Sequence, residues 1–389
     1  VIYALLDQLG WLQDTPLRSV VMVFDRTSFR ALAALALSFA LVLAFGKPVV
    51  RRLAALKIGD IPRTDVAALD EALASKKNTP TMGGVLIAGA ILVSTLLLAD
   101  IRSFYVQMAL IVMVWMAGVG GADDWLKLTS ASRSGGGRQG LYSWEKLVFQ
   151  LGLGVMIGWF VYRHGDTDAA ADLAHALNLP LQKTYVTDPF GPNPNLIYLG
   201  PAGFVIVATL LIAGMSNAVN ITDGMDGLAS GISAWVSLGL MALAFISGWQ
   251  VAAQYLLVPY VAGADELAIV AGAMCGACLG FLWWNAWPAI VFMGDTGSLC
   301  LGGLIGYLAL VIRQEALVLL MCGVFLLEIG SVVLQVGYFK ATKGKRIFRC
   351  APYHWHLHMG GWVEQKIVAR LWIVTVILVA LALASIKVR

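Results

Sequence analysis

The sequence predicts an all-α, polytopic integral membrane protein with about ten transmembrane helices and both termini on the external, periplasmic side. Three observations predict it. Hydrophobic residues make up 59% of the 389-residue chain and charged residues only 13%, against about 45–50% and about 25% in soluble domains. Apolar runs of membrane-spanning length recur along the chain, and Lys and Arg gather in alternate connections between them. So few charges cannot cover a water-facing surface. A soluble globular protein, a disordered chain and a nucleic-acid binder are thereby excluded. The 41 glycines fit, because Gly is frequent in membrane helices.

A membrane helix needs roughly 20 mostly apolar residues. Such runs fall at 28–45, 83–99, 104–121, 147–162, 201–216, 228–247, 267–284, 299–312, 316–338 and 367–386. Residues 1–27 hold an apolar stretch with no small-residue cleavage site, and an interfacial N-terminal helix is expected there. No repeat, soluble domain or low-complexity linker is visible, so 1–389 is expected to be a single membrane domain. The first connection carries Lys47, Arg51, Arg52, Lys57, Arg63, Lys76 and Lys77. The third carries Lys127, Arg133, Arg138 and Lys146, and the ninth Lys340, Lys343, Lys345, Arg346, Arg349, Lys366 and Arg370. These connections hold 18 of the 27 basic residues, which places the odd connections in the cytoplasm. The fourth connection, 163–200, is rich in Pro, Asn and Asp and is expected to be an external loop with short ordered pieces. Cys275 and Cys278 form a CxxC inside an apolar run, where packing is expected rather than redox chemistry.

Five polar motifs all fall on odd connections, at 47–82, 122–146, 217–227, 285–298 and 339–366. Topology was set by the basic residues alone, so this agreement is independent. Asp123, Asp124, Asp223, Asp226 and Asp295 border the hydrocarbon. Acids converging there repel one another unless a cation neutralises them, and oxygen ligands with substrate phosphates are the usual way Mg²⁺ is held. The runs from Asn217 to Gly227 and from Phe292 to Ser298 are expected as glycine-bearing turns whose N–H groups can face an anion. Asn217, Asn220 and Asn285 lie too close to lipid to go without partners, and could bond a ribose, a base or phosphate. Lys76, Lys127 and Lys146 are candidate phosphate contacts. His354, His356 and His358 could line one face of an extended segment and hold zinc, but a phosphate-contacting or proton-transferring His is favoured. Glu328, inside an apolar run, is expected to pair with a polar neighbour. Together these residues read as phosphoryl transfer at the cytoplasmic membrane surface.

The combination resembles the phospho-N-acetylmuramoyl-pentapeptide-transferase (MraY) family, within the polyprenyl-phosphate N-acetylhexosamine-1-phosphate transferases. The superfamily's marks are Asp123-Asp124, Asn220-x-Thr-Asp223-Gly-x-Asp226-Gly and Gly294-Asp295-x-Gly-Ser. More specific are the Thr79–Gly84 block, Gln335-Val-Gly-x-Phe-Lys340, and Gly344–Arg349 leading into Pro352. The resemblance implies transfer of phospho-MurNAc-pentapeptide from UDP-MurNAc-pentapeptide to undecaprenyl phosphate, in the bacterial inner membrane, for peptidoglycan synthesis. The products are lipid I and UMP, and the cofactor is Mg²⁺. It makes Asp295 the metal ligand, Asp123 the base with Asp124 beside it, and His354 catalytic. Implied substrate contacts are Lys76, Thr81, Lys127, Lys146, Asn217, Asn220, Asp223, Asp226, Asn285, Phe292, Gly294, Gln335 and His356. The lipid bilayer is an expected partner, a homodimer is allowed, and no nucleic acid is expected. The chain departs from the family where Trp355 replaces the middle His of a triple-His motif and His358 a Glu. Rival readings are a UDP-GlcNAc or other UDP-HexNAc transferase, a transporter, and a non-catalytic scaffold.

Overall fold

The computed structural model describes residues 22–55, 76, 79–129, 140–165, 171–179, 182–187 and 190–386. Residues 1–21 of the expected N-terminal interfacial helix and most of the first connection lie outside them, as does the 130–139 segment.

Among the described residues, nine helices are long and apolar enough to cross a membrane. They are α1 (Thr27–Ala55), α3 (Phe104–Thr129), α4 (Ser143–Gly165), α6 (Pro201–Thr222), α7 (Leu228–Gly248), α9 (Glu266–Asn285), α10 (Gly294–Val311), α12 (Gly323–Ala341) and α14 (Glu364–Ser385). A tenth apolar helix, α2 (Gly84–Leu98), has 15 residues. Short helices α5 (Ala171–Ala174), α8 (Gln250–Tyr255), α11 (Glu315–Met321) and α13 (Tyr353–His358) complete the set. The chain is thus an all-α multi-pass membrane protein, and each expected run has its helix.

The fourth connection holds the ordered pieces expected of it. Strands β1 (Ala176–Leu177) and β4 (Ile197–Tyr198) pair antiparallel, as do β2 (Tyr185–Thr187) and β3 (Phe190–Pro192). Arg313, between α10 and α11, fastens this loop to the bundle by donating Nε and Nη2 to the Ala176 carbonyl.

Helices α9 and α10 are buried on nearly all sides and form the centre of the bundle. Their sequences explain this. Gly272, Gly276 and Gly280 are spaced four apart, so they line one stripe of α9. A Cβ on Gly272 would lie 2.4 Å from the Ala31 carbonyl oxygen, and one on Gly276 2.0 Å from that of Leu35. Helices α1 and α9 therefore meet backbone to backbone, the small-residue packing that holds membrane helices together without a hydrophobic driving force. Gly302 and Gly306 of α10 meet the Met215 and Leu211 carbonyls of α6 in the same way. Cys275 and Cys278 are buried free thiols inside α9, as expected for packing.

One expected run is broken. The 316–338 segment divides into α11 and α12 at Cys322-Gly323. Gly weakens a helix by about 1 kcal/mol relative to Ala, and here it also admits Leu378, whose Cδ1 would lie 2.8 Å from a Cβ.

At the start of α1, Arg30 is almost fully buried and donates to both carboxylate oxygens of Glu266, at 2.9 and 2.5 Å, and to the Leu98 carbonyl. The Asp100 N–H joins the same carboxylate. Three helix ends are tied by one charge pair. Glu266→Gln keeps the shape but removes the charge that both guanidinium nitrogens bond, and is expected to cost about 2 kcal/mol, read as a lower thermal midpoint in detergent.

Candidate active site

The end of α3 and the start of α10 build the centre of the site together. Asp124 Oδ1 accepts the Asp295 N–H at 3.1 Å, and Oδ2 accepts the Thr296 N–H at 2.9 Å and its hydroxyl at 2.7 Å. A buried carboxylate from α3 thus caps the free N–H groups of α10 from across the interface, where the helix dipole favours negative charge. Gly294 makes the turn into α10 at φ +74, and a Cβ there would lie 2.8 Å from Asp124 Oδ2. One turn before Asp124, Gly120 lets α3 lie against the Asp295 carbonyl, 2.2 Å from where a Cβ would sit.

With Asp295 held this way, its side chain meets Asp123. Lys146 Nζ bridges the two, 2.7 Å from Asp123 Oδ2 and 2.5 Å from Asp295 Oδ2. Lys127, one turn beyond Asp123, lies 2.7 Å from Asp123 Oδ2 and 3.5 Å from Asp295 Oδ1. Asn220 Nδ2 donates to Asp295 Oδ1 at 3.0 Å and to Ser298 Oγ at 2.9 Å. Among the described residues, Asp123, Asp124 and Asp295 form the one group of three or more potential metal-ligating side chains, with ligand atoms within 4.8 Å of one another. Asp223, just past α6, faces the same cluster. Loss of hydration, with Asp295 and Asp124 beside it, pushes its carboxyl up to about 7, and the Gly294 N–H works the other way.

A second cluster adjoins the first. Lys76 Nζ is 2.5 Å from Asp226 Oδ1 and 2.7 Å from Glu364 Oε1, and lies 5.9 Å from the centre of the Phe292 ring. Glu364 also accepts the Asp226 N–H at 2.7 Å. The Phe292 backbone is held by the segment after Lys76. Its N–H donates to the Pro80 carbonyl and its carbonyl accepts the Gly83 N–H, each at 2.8 Å. Thr81 Oγ1 stands 3.0 Å from where a Gly294 Cβ would be.

The ninth connection closes the site from the other side. His354 is fully buried, with Nε2 2.5 Å from where a Gly224 Cβ would sit. Trp355 Nε1 approaches the same glycine. All five motifs therefore converge at one end of the bundle.

Residues 106–313 match glycosyl transferase family 4, and residues 76–87 match signature 1 of phospho-N-acetylmuramoyl-pentapeptide-transferase. The phospho-N-acetylmuramoyl-pentapeptide-transferase of Desulfotalea psychrophila (strain LSv54 / DSM 12343) is 41% identical over 367 residues, covering 94% of this chain and 95% of its own length. The chain belongs to the phospho-N-acetylmuramoyl-pentapeptide-transferase family. Members from Neisseria gonorrhoeae (strain NCCP11945) and Neisseria meningitidis serogroup C (strain 053442) are each 42% identical over 94% of this chain and 96% of their own. The chain is accordingly an enzyme of the transferase class. The family's signature segment is the one that holds Phe292 and crosses α10, so its place in the fold is against the acidic cluster.

The structure corrects several expectations of local form. Asn217 and Asn220 lie in the last turns of α6, not in a connection. Asn217 points away from the acids, bonding Gln150 Oε1 at 2.6 Å and the Ala213 carbonyl. Gly294–Ser298 is the first turn of α10 rather than a loop. His354–His358 is helical, not extended, so alternate histidines leave opposite sides of α13 and form no three-ligand cluster. Asn285 is almost fully buried and clamps its own loop, accepting the Gly227 N–H and the Ser230 hydroxyl and donating to the Val291 carbonyl. Gln335 accepts the Ile347 and Phe348 N–H groups, and His356 Nδ1 accepts the Arg349 N–H. These residues shape the walls around the acids. Glu364 and Gln150 were missed, while Thr296 and Ser298 entered only as members of the Phe292–Ser298 run. Glu364 opens the last helix with no motif around it, and only its partners give it meaning.

Proposed function

We propose that the chain transfers phospho-MurNAc-pentapeptide from UDP-MurNAc-pentapeptide to undecaprenyl phosphate, releasing UMP and forming lipid I. The reaction takes place at the cytoplasmic face of the bacterial inner membrane, in a single membrane domain with both termini outside. One observation carries this beyond family membership. Asp123 and Asp295 face each other across Lys146 and Lys127, with Asn220 and Asp223 at the edge. Acids and ammonium groups in one place suit an anionic diphosphate and a cation together.

The donor set fits Mg²⁺. Its members are carboxylate oxygens, the hard ligands this ion takes, and the ammonium shared by Asp123 and Asp295 shows that the pair accepts a positive charge. Asp295 would hold the ion, with Asp123 beside it. When bound, it supplies Lewis-acid polarisation of the diphosphate and neutralises charge on the departing UMP. The chain's own residues do the rest. Asp123 takes the proton of the lipid phosphate, whose oxygen attacks the sugar-linked phosphorus as the bond to UMP breaks. Lys127 and Lys146 turn from the acids to phosphate oxygens as point charges. Asp124 acts through α10 by fixing where Asp295 stands. Phe292, Asp226 and Lys76 form the wall for the nucleoside. Such transfer depends on positioning and electrostatics.

The test is UMP release by purified protein with undecaprenyl phosphate, using UDP-MurNAc-pentapeptide or UDP-GlcNAc, with and without Mg²⁺. Mg²⁺-dependent release from the first substrate alone is expected. Release from UDP-GlcNAc alone would overturn the substrate, and no release from either would remove the reaction.

The Asp223 carboxyl gives a pH signature without substrate. Its folded value near 7 lies above that of an unfolded Asp, so the folded state binds more protons between about 4 and 7 and loses stability as pH rises through that window. A divalent cation reverses this by favouring the charged form. Stabilisation by Mg²⁺, read as a thermal shift, is expected to grow from pH 6 to pH 8, and Asp223→Asn to flatten that growth. A shift independent of pH in the parent protein would count against it.

A further inference from the structure

The site leaves one buried pair of titratable side chains without an assigned task. Glu328, in α12, and His354, in α13, are both fully shielded from solvent. Glu328 Oε2 lies 3.2 Å from the His354 backbone nitrogen and 3.1 Å from its ring Nδ1. A backbone N–H only donates, so Oε2 is an acceptor there. A carboxylate only accepts, so Nδ1 carries the ring proton. Two bonds to one oxygen fix both the rotation of the ring and its tautomer. In the neutral ring this leaves a bare lone pair on Nε2.

That nitrogen is not spent within the chain. His354 Nε2 is buried and has no hydrogen-bond partner. It faces Gly224, the residue between Asp223 and the Met225-Asp226 step, and only the absence of a side chain at Gly224 lets it approach. Glu328 from α12 bonds the other ring nitrogen, and Gly224 stands in the loop between Asp223 and Asp226, the latter bonded to Lys76 and to Glu364. A buried polar atom left unmatched costs about 1–3 kcal/mol. One held in a fixed tautomer, aimed at the loop that carries two site acids, is built to meet a group that the chain itself does not provide.

We propose that Glu328 is the positioning residue of His354. It keeps the proton on Nδ1 so that Nε2 presents a hydrogen-bond acceptor to a hydroxyl or N–H donor of the bound nucleotide substrate. This deepens the reading of the same site and rests on it for the substrate's identity, but the tautomer does not. The sequence signal was a lone acid in an apolar run, and nothing near it in the chain named its partner, 26 residues away.

The test has two arms. The first needs no substrate. The chain has five histidines, so ¹⁵N-histidine labelling of the full protein resolves each imidazole. At neutral pH the His354 ring is expected as the Nδ1–H tautomer, as is that of His358, whose Nδ1 faces the Trp362 carbonyl at 3.1 Å. The signal lost in His354→Gln identifies the His354 ring, and that ring is expected to shift toward Nε2–H in Glu328→Leu. A His354 ring in the Nε2–H form in the unmodified protein overturns the proposal, whether or not any variant folds. The second arm is UMP release. Glu328→Leu is expected to lower kcat/KM by about 10–100-fold, the usual loss when an outer partner of a functional His is removed. Glu328→Gln still offers an oxygen to both donors and is expected to recover to within about fivefold. Equal losses in both variants, with unfolding midpoints matching the parent, would leave charge alone as the cause and overturn the positioning role. A chain with the expected tautomer that releases no UMP would overturn the proposed reaction and leave the dyad standing.

Discussion

Asp295→Asn is expected to abolish UMP release, lowering turnover by about 10³-fold or more. The substitution is nearly isosteric, so packing at the start of α10 survives. Asp124 bonds the backbone and Thr296, not the Asp295 side chain, and continues to cap the helix. What changes is the charge and the direction of the hydrogen bonds. The parent carboxylate accepts from Asn220 on one oxygen and from Lys146 on the other. An Asn amide sets an NH₂ group against one of those donors. The Asp123–Asp295 pair then has one negative charge in place of two, and a divalent cation loses most of its attraction. Two measurements check this. Single-turnover UMP release should fall below about a thousandth of the parent, and Mn²⁺ binding by paramagnetic resonance should weaken in parallel. An unfolding midpoint close to the parent's would show that the fold is intact. Turnover within about tenfold of the parent would sink the assignment of Asp295.

The helices were legible because a bilayer enforces a simple rule. Each crossing must satisfy its own backbone and cover it with apolar side chains, so the runs stand out by length alone. Convergence of the motifs was legible for a related reason: alternate ends of an up-and-down bundle share one side. Local form within the site was less so. Asn217 and Asn220 weaken a helix by propensity, yet α6 continues through both because Gln150 and Asp295 accept their amides. Tertiary partners overrode an intrinsic preference. The Gly294 stretch was read as a turn because of its composition, and only its first residue is one. Asp124 supplies from another helix the capping group that the local sequence lacks. Glu364 and the Glu328–His354 pair were beyond reach in a different sense. Each acts through a residue far along the chain, and spacing carries no information about such a partner.

Gly84→Ala is expected to disable the enzyme as thoroughly as many substitutions of the acids, although Gly84 has no side chain to lose. Helix α2 begins there, pressed onto the first turn of α10. An added Cβ would lie 2.1 Å from the Gly297 nitrogen, 2.4 Å from its Cα and 3.0 Å from the Met293 carbonyl oxygen. All three are backbone atoms, so no rotamer change relieves the contact. The Gly84 N–H also donates to that Met293 carbonyl at 2.7 Å, and Gly83 to Phe292 at 2.8 Å, so the segment cannot shift without breaking the bonds that hold Phe292. Overpacking in a rigid interior costs about 1–3 kcal/mol, and more where nothing can yield. The outcome that relieves the clash is separation of α2 from α10, and the turn that moves carries Asp295. A displacement of about 1 Å at the reacting groups lowers turnover by about 10²-fold. Gly89, one and a half turns along the same helix, meets nothing within 4 Å of a Cβ. Gly89→Ala is therefore expected to leave activity unchanged and to raise the unfolding midpoint slightly, since Ala is favoured over Gly in a helix by up to about 1 kcal/mol. UMP release and thermal unfolding of the two variants, measured side by side, decide the matter. If both behave alike, the close crossing of α2 and α10 is not what holds Asp295 in place. If Gly84→Ala alone fails, the glycine pair in the signature segment is there to bring a backbone, not a side chain, against the catalytic helix.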